Sequence, residues 1–160
     1  YWLLPFTARL GFFATGLAMS AAVTITNHLP EMDFQTIHEF IRNSYWAKNI
    51  PVETLHKALE NSLCFAALDE QQNTIGFARM ITDRATFGYL ADVFVLPAWQ
   101  GRGVSRKILD AVVTHPDLQG LRRFMLATKD AHGLYKKYGF SPVEDASPLM
   151  QIWQPDIYQQ

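Results

Sequence analysis

The stretch that decides the fold is Asp92-Val93-Phe94-Val95-Leu96-Pro97-Ala98-Trp99-Gln100-Gly101-Arg102-Gly103-Val104-Ser105. It begins as an apolar, strand-like run, stops at Pro97 and continues through two glycines into a helical pattern. Backbone N–H groups at the start of such a helix favour phosphate, and glycines let a ligand approach the backbone closely. The loop therefore predicts an anion-binding site, although a Gly-x-Gly pair alone is equally typical of an ordinary strand-to-helix turn.

Length and composition indicate a globular protein with one core. The 160 residues are 49% hydrophobic and 18% charged, with a formal net charge of −1. Such a charge provides no uniform positive field, so we expect neither nucleic acid nor a membrane as a partner. The single cysteine, Cys64, can form no internal disulfide, and its apolar neighbours place it in the core. A cytoplasmic location is the default expectation from this cysteine usage.

The first residues have a different character from the rest. Residues 1–18 are apolar and contain no Met, and we expect an extension that derives from cloning or from upstream sequence, ahead of a natural start at Met19. A secretory leader is the alternative, since the apolar run is too short and too interrupted to span a membrane. Residues 19–160 are then expected to form a single domain.

The hydrophobic pattern predicts an α/β chain, with one mixed sheet flanked by helices in the order β-α-α-β-β-β-α-β-α-β. The predicted strands are residues 23–26, 63–68, 74–82, 86–96, 121–127 and about 150–153. The predicted helices are residues 31–45, the segment after Pro51, the segment after the glycine loop, and 130–138, which Gly139 closes. The residues expected to face inward from the first three helices are Phe34, Ile37, Ile41 and Tyr45, then Val52, Leu55 and Leu59, then Val104, Ile108, Ala111 and Val112.

Two motifs resemble those of the GNAT superfamily of acetyl-CoA-dependent N-acetyltransferases. The glycine loop is similar to that family's Arg/Gln-x-x-Gly-x-Gly/Ala, which follows a strand ending in an apolar run and Pro; Ser105 stands where Gly or Ala is usual. Downstream, Ala131-His132-Gly133-Leu134-Tyr135-Lys136-Lys137-Tyr138-Gly139-Phe140 resembles Ala-x-x-Leu-Tyr-x-x-x-Gly-Phe. The resemblance covers about residues 23–153 and implies the GNAT fold and acetyl transfer to an amine.

The resemblance also implies which residues bind acetyl-CoA. Its pyrophosphate is expected at Gln100, Gly101, Arg102, Gly103, Val104, Ser105 and Arg106, although a solvated helix face is an equal alternative for Arg106. The pantetheine arm is expected to pair with the backbone of Val93, Phe94 and Val95, beside a bulge in that strand. Thr128 stands where the family commonly has an Asn that contacts the arm.

Two residues are the candidates for the chemistry. The resemblance implies that the Tyr135 hydroxyl is the acid that protonates the departing thiolate, and a core aromatic is the alternative. Asp92 is a charge inside an apolar strand, so it is either paired structurally or functional. Its stretch resembles Leu-Glu-Asp-Phe-Phe-Val of spermidine/spermine acetyltransferases, but Ala91 replaces the glutamate that acts as base there. That leaves Asp92, Asp83 or Tyr89 as candidates for the general base, acting through a water molecule.

The acceptor is expected at Tyr45, Trp46, Arg79, Asp83 and Tyr89. Aromatic rings beside carboxylates suit a cationic small-molecule amine, whereas Arg79 suits a substrate carboxylate. The five histidines have no metal-ligand spacing, so no metal is expected. The alternatives are a non-catalytic acyl-CoA sensor on the same fold and a transferase acting on a protein or a tRNA-bound amine. A homodimer is left open.

Overall fold

The computed structural model describes residues 22–159, so the extension predicted for residues 1–18 lies outside it. Its strands are β1 Thr24–Thr26, β2 Leu63–Leu68, β3 Thr74–Thr82, β4 Phe87–Val95 and β5 Arg123–Leu126. Its α-helices are α1 Phe34–Arg42, α2 Val52–Glu60, α3 Val104–Thr114 and α4 His132–Lys136. Short 3-10 turns precede α1 and flank α3.

The strands form one five-stranded sheet in the order β1-β2-β3-β4-β5. Pairing is antiparallel from β1 to β4, and β5 runs parallel to β4, with α3 in the connection between them. The predicted mixed sheet flanked by helices is therefore confirmed. This topology places the end of β4 beside the start of α3, where the glycine loop lies.

Helices cover both faces of the sheet, and every residue of β2 is buried as a result. Leu63, Phe65 and Ala67 pack in a cluster with α3 and α4, whereas alternate residues such as Cys64 pack in a second cluster with α1 and α2. The predicted core position of Cys64 is confirmed, with 3% of its surface exposed.

Helix α1 begins with a capped end and packs with one apolar face. The Asp33 carboxylate accepts hydrogen bonds from the N–H groups of Gln35 and Thr36, which satisfies two of the helix's unpaired donors. Ile37 and Ile41 are completely buried against the sheet. The inward face predicted for this helix is confirmed at these two positions.

The prediction that α1 extends to Tyr45 is wrong, because the helix ends at Arg42. The Asn43 amide donates to the Glu39 carbonyl and the Ser44 hydroxyl donates to the Ile41 carbonyl, so these side chains add to the backbone bonds that close the last turn. Tyr45 lies beyond the helix with 69% of its surface exposed.

The inward position predicted for Val52 is also wrong, while Leu55 and Leu59 are buried as expected. Val52 is the first residue of α2, directly after Pro51, and it precedes the part of the helix that packs in the α1–α2 cluster. Its side chain is 44% exposed.

Strand β4 carries a bulge near its C-terminal end. Phe77 pairs with Phe94 and Arg79 pairs with Ala91, so two β4 residues, Asp92 and Val93, oppose one β3 residue. Asp92 takes a left-handed conformation with φ of 53°. The expected bulge is thus present, and it turns the Asp92 side chain out of the regular alternation.

The final strand predicted near residues 150–153 is wrong: residues 149–154 form no strand, and within the described part of the chain the sheet ends at β5. An alternating apolar pattern forms a strand only when a sheet edge pairs with it. Met150 and Ile152 lie outside the core, 95% and 93% exposed.

Candidate active site

A cleft of about 590 Å³ opens where β4 ends. Its floor is the bulged end of β4, at Val93, Phe94 and Val95, and one wall is the glycine loop. The opposite wall is α4, which contributes Tyr135, and Trp46 from the α1–α2 loop covers one side. The topology therefore brings the two sequence motifs, about thirty residues apart in the chain, to one cavity.

Two residues of the glycine loop have left-handed backbone conformations, which favour glycine. Gly101 has φ of 75° and Gly103 has φ of 78°. Gly103 is the N-cap of α3 and supplies no side-chain cap, and the first helical bond joins the Lys107 N–H to its carbonyl. The N–H groups of residues 104–106 therefore have no acceptor within the helix. A Cβ at Gly101 or Gly103 would meet nothing within 4 Å, so a ligand can reach this backbone.

The side chains flanking the loop fix it to the strand and add positive charge. The Gln100 amide donates to the Val95 carbonyl at 3.1 Å, which ties the loop to the end of β4. The Arg102 guanidinium lies over the Trp99 ring, 5.1 Å from its centre. An exposed cation thus stands beside the helix start, where an anion would sit.

Three residues of the predicted coenzyme set lie outside the lining of the cleft, namely Arg102, Arg106 and Thr128. Arg106 is exposed on α3, and its carbonyl accepts from the Tyr138 hydroxyl at 3.2 Å. The Thr128 hydroxyl accepts from the Ala131 N–H at 3.0 Å, immediately before α4. Thr128 therefore orders the entry into α4, whose Ala131 does line the cleft.

Tyr135 combines burial with a place in the lining of the cleft. Its side chain is 8% exposed, packs in the α3–α4 core cluster and lines the cavity. Burial raises the pKa of the phenol, and the nearby Asp130 and Tyr45 raise it further. A phenol with a raised pKa stays protonated near neutral pH, which suits a proton donor.

Asp92 lies at the centre of a buried network. Its carboxylate accepts from the Trp46 indole N–H at 2.9 Å and from the Arg79 guanidinium at 2.7 Å. The Asp92 side chain is 6% exposed and that of Arg79 is 16% exposed, and Arg79 also donates to the Ser62 hydroxyl. Of the two alternatives for Asp92, the structure shows the structurally paired carboxylate. The same ion pair engages the Arg79 guanidinium, the group predicted to bind a substrate carboxylate.

The network links three elements that the sequence alone could not bring together. Trp46 belongs to the α1–α2 loop, Arg79 to β3 and Asp92 to the β4 bulge. Because the indole is bonded to Asp92, the side of the cleft that Trp46 covers is held to the strand that forms its floor. The left-handed conformation of Asp92 aims the carboxylate at both partners.

The other predicted acceptor residues divide between the mouth of the cleft and the far end of β4. Tyr45 packs edge-on against Trp46, and the Lys129 ammonium lies 5.5 Å from the centre of the Tyr45 ring. Tyr89 pairs with Ile81 and is not part of the cleft lining. Of the predicted acceptor residues, Trp46 alone lines the cleft, and Tyr45 packs against it.

Asp83 lies in the β3–β4 turn, where it has a structural task. Its carboxylate accepts from the Thr86 hydroxyl and from the N–H groups of Ala85, Thr86 and Phe87. These bonds, the Thr86 hydroxyl first, hold the pKa of Asp83 far below its usual range. The structure does not bring this carboxylate to the cleft.

Sequence reasoning missed four lining residues, namely Phe40, Trp99, Ala131 and Leu134. Phe40 stacks on Phe94 with ring centres 3.9 Å apart, so α1 contributes to the cavity. Its position three residues after the buried Ile37 was the available signal, because helical spacing places both near one face. Leu134 precedes Tyr135 in the second motif.

Residues 22–159 contain neither a candidate metal site nor a helix that could cross a membrane. No group of three His, Cys, Asp or Glu side chains in this part of the chain is placed to hold a metal ion. None of its helices has both the length and the apolar composition that crossing a bilayer requires.

Comparisons with known proteins agree with this geometry. Residues 60–142 match the model of a family described as the acetyltransferase (GNAT) domain. A Gibberella zeae protein named as an acetyltransferase is 37% identical over 113 residues, 58% of this chain and 63% of that protein. The Pyropia yezoensis protein named N-acetyltransferase ycf52 is 31% identical over 120 residues, 69% of this chain and 65% of that protein. The chain thus spans slightly less than two thirds of these two curated relatives.

A solved structure extends the similarity to nearly the whole described fold. It is a crystal structure from Xanthomonas campestris pv. campestris, described as belonging to the GNAT family of acetyltransferases. The two chains are 46% identical with a TM-score of 0.84, and the match covers 87% of this chain and 98% of the other.

Proposed function

Because the chain belongs to the GNAT acetyltransferase family, we propose that it transfers the acetyl group of acetyl-CoA to the primary amine of a small molecule. The observation that carries the proposal is that the glycine loop and Tyr135 line the same cleft. A loop for phosphate at one end and a proton donor at the other are the two features that a thioester of coenzyme A needs.

The residues of the cleft fit coenzyme A along its length. The N–H groups at the start of α3 and the Arg102 guanidinium suit the pyrophosphate. The apolar floor at the β4 bulge, where Asp92 and Val93 leave the regular ladder, suits the pantetheine arm. The thiol end of coenzyme A then lies beside Tyr135 on the opposite wall. Arg106 and Thr128, which do not line the cleft, are proposed only as outer contacts.

The chemistry of the proposal is direct transfer. Acetyl-CoA supplies an activated acetyl group whose carbon–sulfur bond breaks as the bond from the amine nitrogen to the acetyl carbon forms. The amine loses one proton to water before it attacks. The sulfur leaves with the electron pair and takes a proton from the Tyr135 hydroxyl, the nitrogen gives a second proton to water, and water reprotonates the Tyr135 phenolate. A backbone N–H at the β4 bulge is the proposed donor to the acetyl oxygen, a kind of interaction worth about 10²–10³ in rate.

Asp92 enters the proposal as a residue that positions the site. Its carboxylate already accepts two hydrogen bonds, from Trp46 and from Arg79. Removal of the amine proton by this carboxylate would break the ion pair with Arg79, so we assign the proton to water. The role of Asp92 is to hold Trp46 over the acceptor side of the cleft.

The acceptor side of the cleft supports an amine that is cationic in solution. Tyr45 and Trp46 present exposed ring surfaces at the mouth, and aromatic faces attract cations. The chain's own Lys129 already lies over the Tyr45 ring. An amine substrate would take a comparable position before it loses its proton.

The test is release of free thiol from acetyl-CoA in the presence of polyamines, amino acids, aminoglycosides and peptides. We expect acceptor-dependent release with at least one small amine and none with acetyl-CoA alone. Gly103→Val, which damages the loop and is checked for folding by circular dichroism, is the matched control. Tight binding of acetyl-CoA without release from any acceptor would identify a non-catalytic acyl-CoA module instead, and release with peptides alone would move the acceptor to proteins.

A further inference from the structure

The walls of the cleft carry no charge that an acceptor could meet. Among the described residues, those that line the cleft are all apolar, aromatic or neutral and polar. The ion pair beneath Trp46 is closed on itself, because the Asp92 carboxylate accepts from the Arg79 guanidinium at 2.7 Å and both side chains are largely buried. Any charge that an acceptor carries besides its reacting amine must therefore be met at the mouth of the cleft.

Lys129 brings a positive charge to that mouth. Its ammonium lies 5.5 Å from the centre of the Tyr45 ring, and Tyr45 packs edge-on against Trp46, which lines the cleft. The backbone beside Lys129 is tied to the same cavity, because the Thr128 hydroxyl accepts from the N–H of Ala131, another lining residue. A cation that rests on an aromatic ring thus stands where the acceptor enters.

The next residue, Asp130, brings the opposite charge. Burial raises the pKa of the Tyr135 phenol and the negative charge of Asp130 raises it further, which places the Asp130 carboxylate near the acid end of the cleft. Neither Lys129 nor Asp130 forms an ion pair with another residue of the described chain. Both charges are therefore available to a ligand, side by side.

Charge complementarity distinguishes between the small amines of the proposed class. A polyamine brings a second positive charge, and the Lys129 ammonium repels it. An amino carboxylic acid is a zwitterion, so its carboxylate matches Lys129 and its ammonium matches Asp130. Arg79, the residue expected from the sequence to bind a substrate carboxylate, is already paired with Asp92.

We propose that the acceptor is a small amino carboxylic acid whose carboxylate pairs with Lys129 while Asp130 attracts its ammonium towards Tyr135. The inference rests on the proposed function and narrows its substrate class. Lys129 and Asp130 bind and orient the acceptor and take no part in breaking the thioester. The substrate carboxylate stays ionised from binding to reaction, so its pairing with Lys129 contributes equally at both stages and is expected in KM rather than in kcat.

The first test compares acceptors that differ only in the carboxylate. Amino acids of the α, β and γ series are each assayed against their carboxamides by thiol release from acetyl-CoA, and rates are expressed per concentration of neutral amine because the carboxylate also changes the basicity of the amine. We expect at least one amino acid to exceed its carboxamide in kcat/KM by at least about fivefold. Equal values in every pair, a preference for the carboxamides, or transfer to polyamines alone overturns the proposal and leaves acetyl transfer standing. Acetyl-CoA left intact with every acceptor overturns both.

The second test asks whether Lys129 provides the preference. Lys129→Met removes the charge and keeps the length of the side chain, Lys129→Arg keeps the charge, and Lys57→Met is the matched control at an exposed lysine on α2. We expect Lys129→Met to raise KM for the preferred amino acid at least about fivefold, while kcat and coenzyme-A affinity are unchanged and KM for the carboxamide does not rise. Lys129→Arg and Lys57→Met should keep the preference of the parent chain.

Two results of this test contradict the proposal. A preference for the amino acid that survives Lys129→Met overturns it, and so does an equal rise in KM for amino acid and carboxamide, which would show that Lys129 only supports Tyr45. Asp130→Asn should raise KM for both members of the pair, since both carry the ammonium, and an unchanged KM overturns the part assigned to Asp130.

Discussion

The conformation of Gly103 allows a quantitative prediction. An L-residue in the left-handed region costs about 1–2 kcal/mol, and Gly103 has φ of 78°. A Cβ there would meet nothing within 4 Å, so the cost of Gly103→Ala is strain without a clash. If the loop keeps its shape, the free energy of unfolding falls by that amount. If the loop of the variant relaxes in the free protein, the ligand must restore the strained conformation when it binds. Coenzyme-A affinity then falls by about five- to thirty-fold.

The assay is calorimetric titration of coenzyme A, together with urea unfolding of the same variants. Losses in binding and unfolding free energy for Gly103→Ala should sum to about 1–2 kcal/mol. Gly103→Val should bind more weakly still, because its branched side chain projects into the space where the ligand meets the backbone. Gly120→Ala is the matched control, since Gly120 has φ of 72°, equally open surroundings and no place in the cleft. The Gly120→Ala variant should lose stability and keep its affinity for coenzyme A. Unchanged coenzyme-A affinity in a folded Gly103→Val protein would refute the assignment of the loop.

The remaining predictions concern three side chains. Tyr135→Phe should keep coenzyme-A affinity and lower the single-turnover rate by about 10²–10⁴, the usual contribution of a general acid; an unchanged single-turnover rate would make Tyr135 a core aromatic. Asp92→Asn keeps an acceptor for Trp46 but removes the ion pair with Arg79, and urea unfolding should show a loss of about 1.5–3 kcal/mol; full stability with abolished turnover would point to a base instead. Asp83→Ala should be less stable than the parent chain at pH 7, and the difference should shrink as pH falls below about 4, because a depressed pKa stabilises only while the carboxylate is ionised; a pH-independent difference in thermal unfolding would contradict this.

Much of the fold could be predicted because local pattern and final structure agree there. The bounds of β2 and β3 match their predicted ranges, since polar turn residues delimit each apolar run. The glycine loop was predictable for a related reason: left-handed residues followed by a helix require glycine, and the sequence shows it. Features that depend on neighbouring residues in the chain are therefore readable from the sequence.

Features that depend on distant partners were not readable. Helix α1 ends before Tyr45, where the side chains of Asn43 and Ser44 hydrogen-bond to helix carbonyls. The hydrophobic periodicity of the sequence gives no sign of these bonds. The network of Trp46, Arg79 and Asp92 joins residues up to 46 positions apart, and only the fold brings them together. Residues 149–153 have the alternating pattern of a strand, but a strand forms only by pairing, and no strand of the described sheet pairs with them.

The central claim is tested most directly by quantifying both products of one reaction. Wild-type protein is incubated with acetyl-CoA and the amine that gives the fastest thiol release, and the free thiol and the N-acetylated amine are measured together by mass spectrometry. Direct transfer predicts equal amounts of the two products at every time point. Thiol without acetylated amine would show hydrolysis of the thioester, and acetyl-CoA left intact with every amine would contradict the proposed transfer.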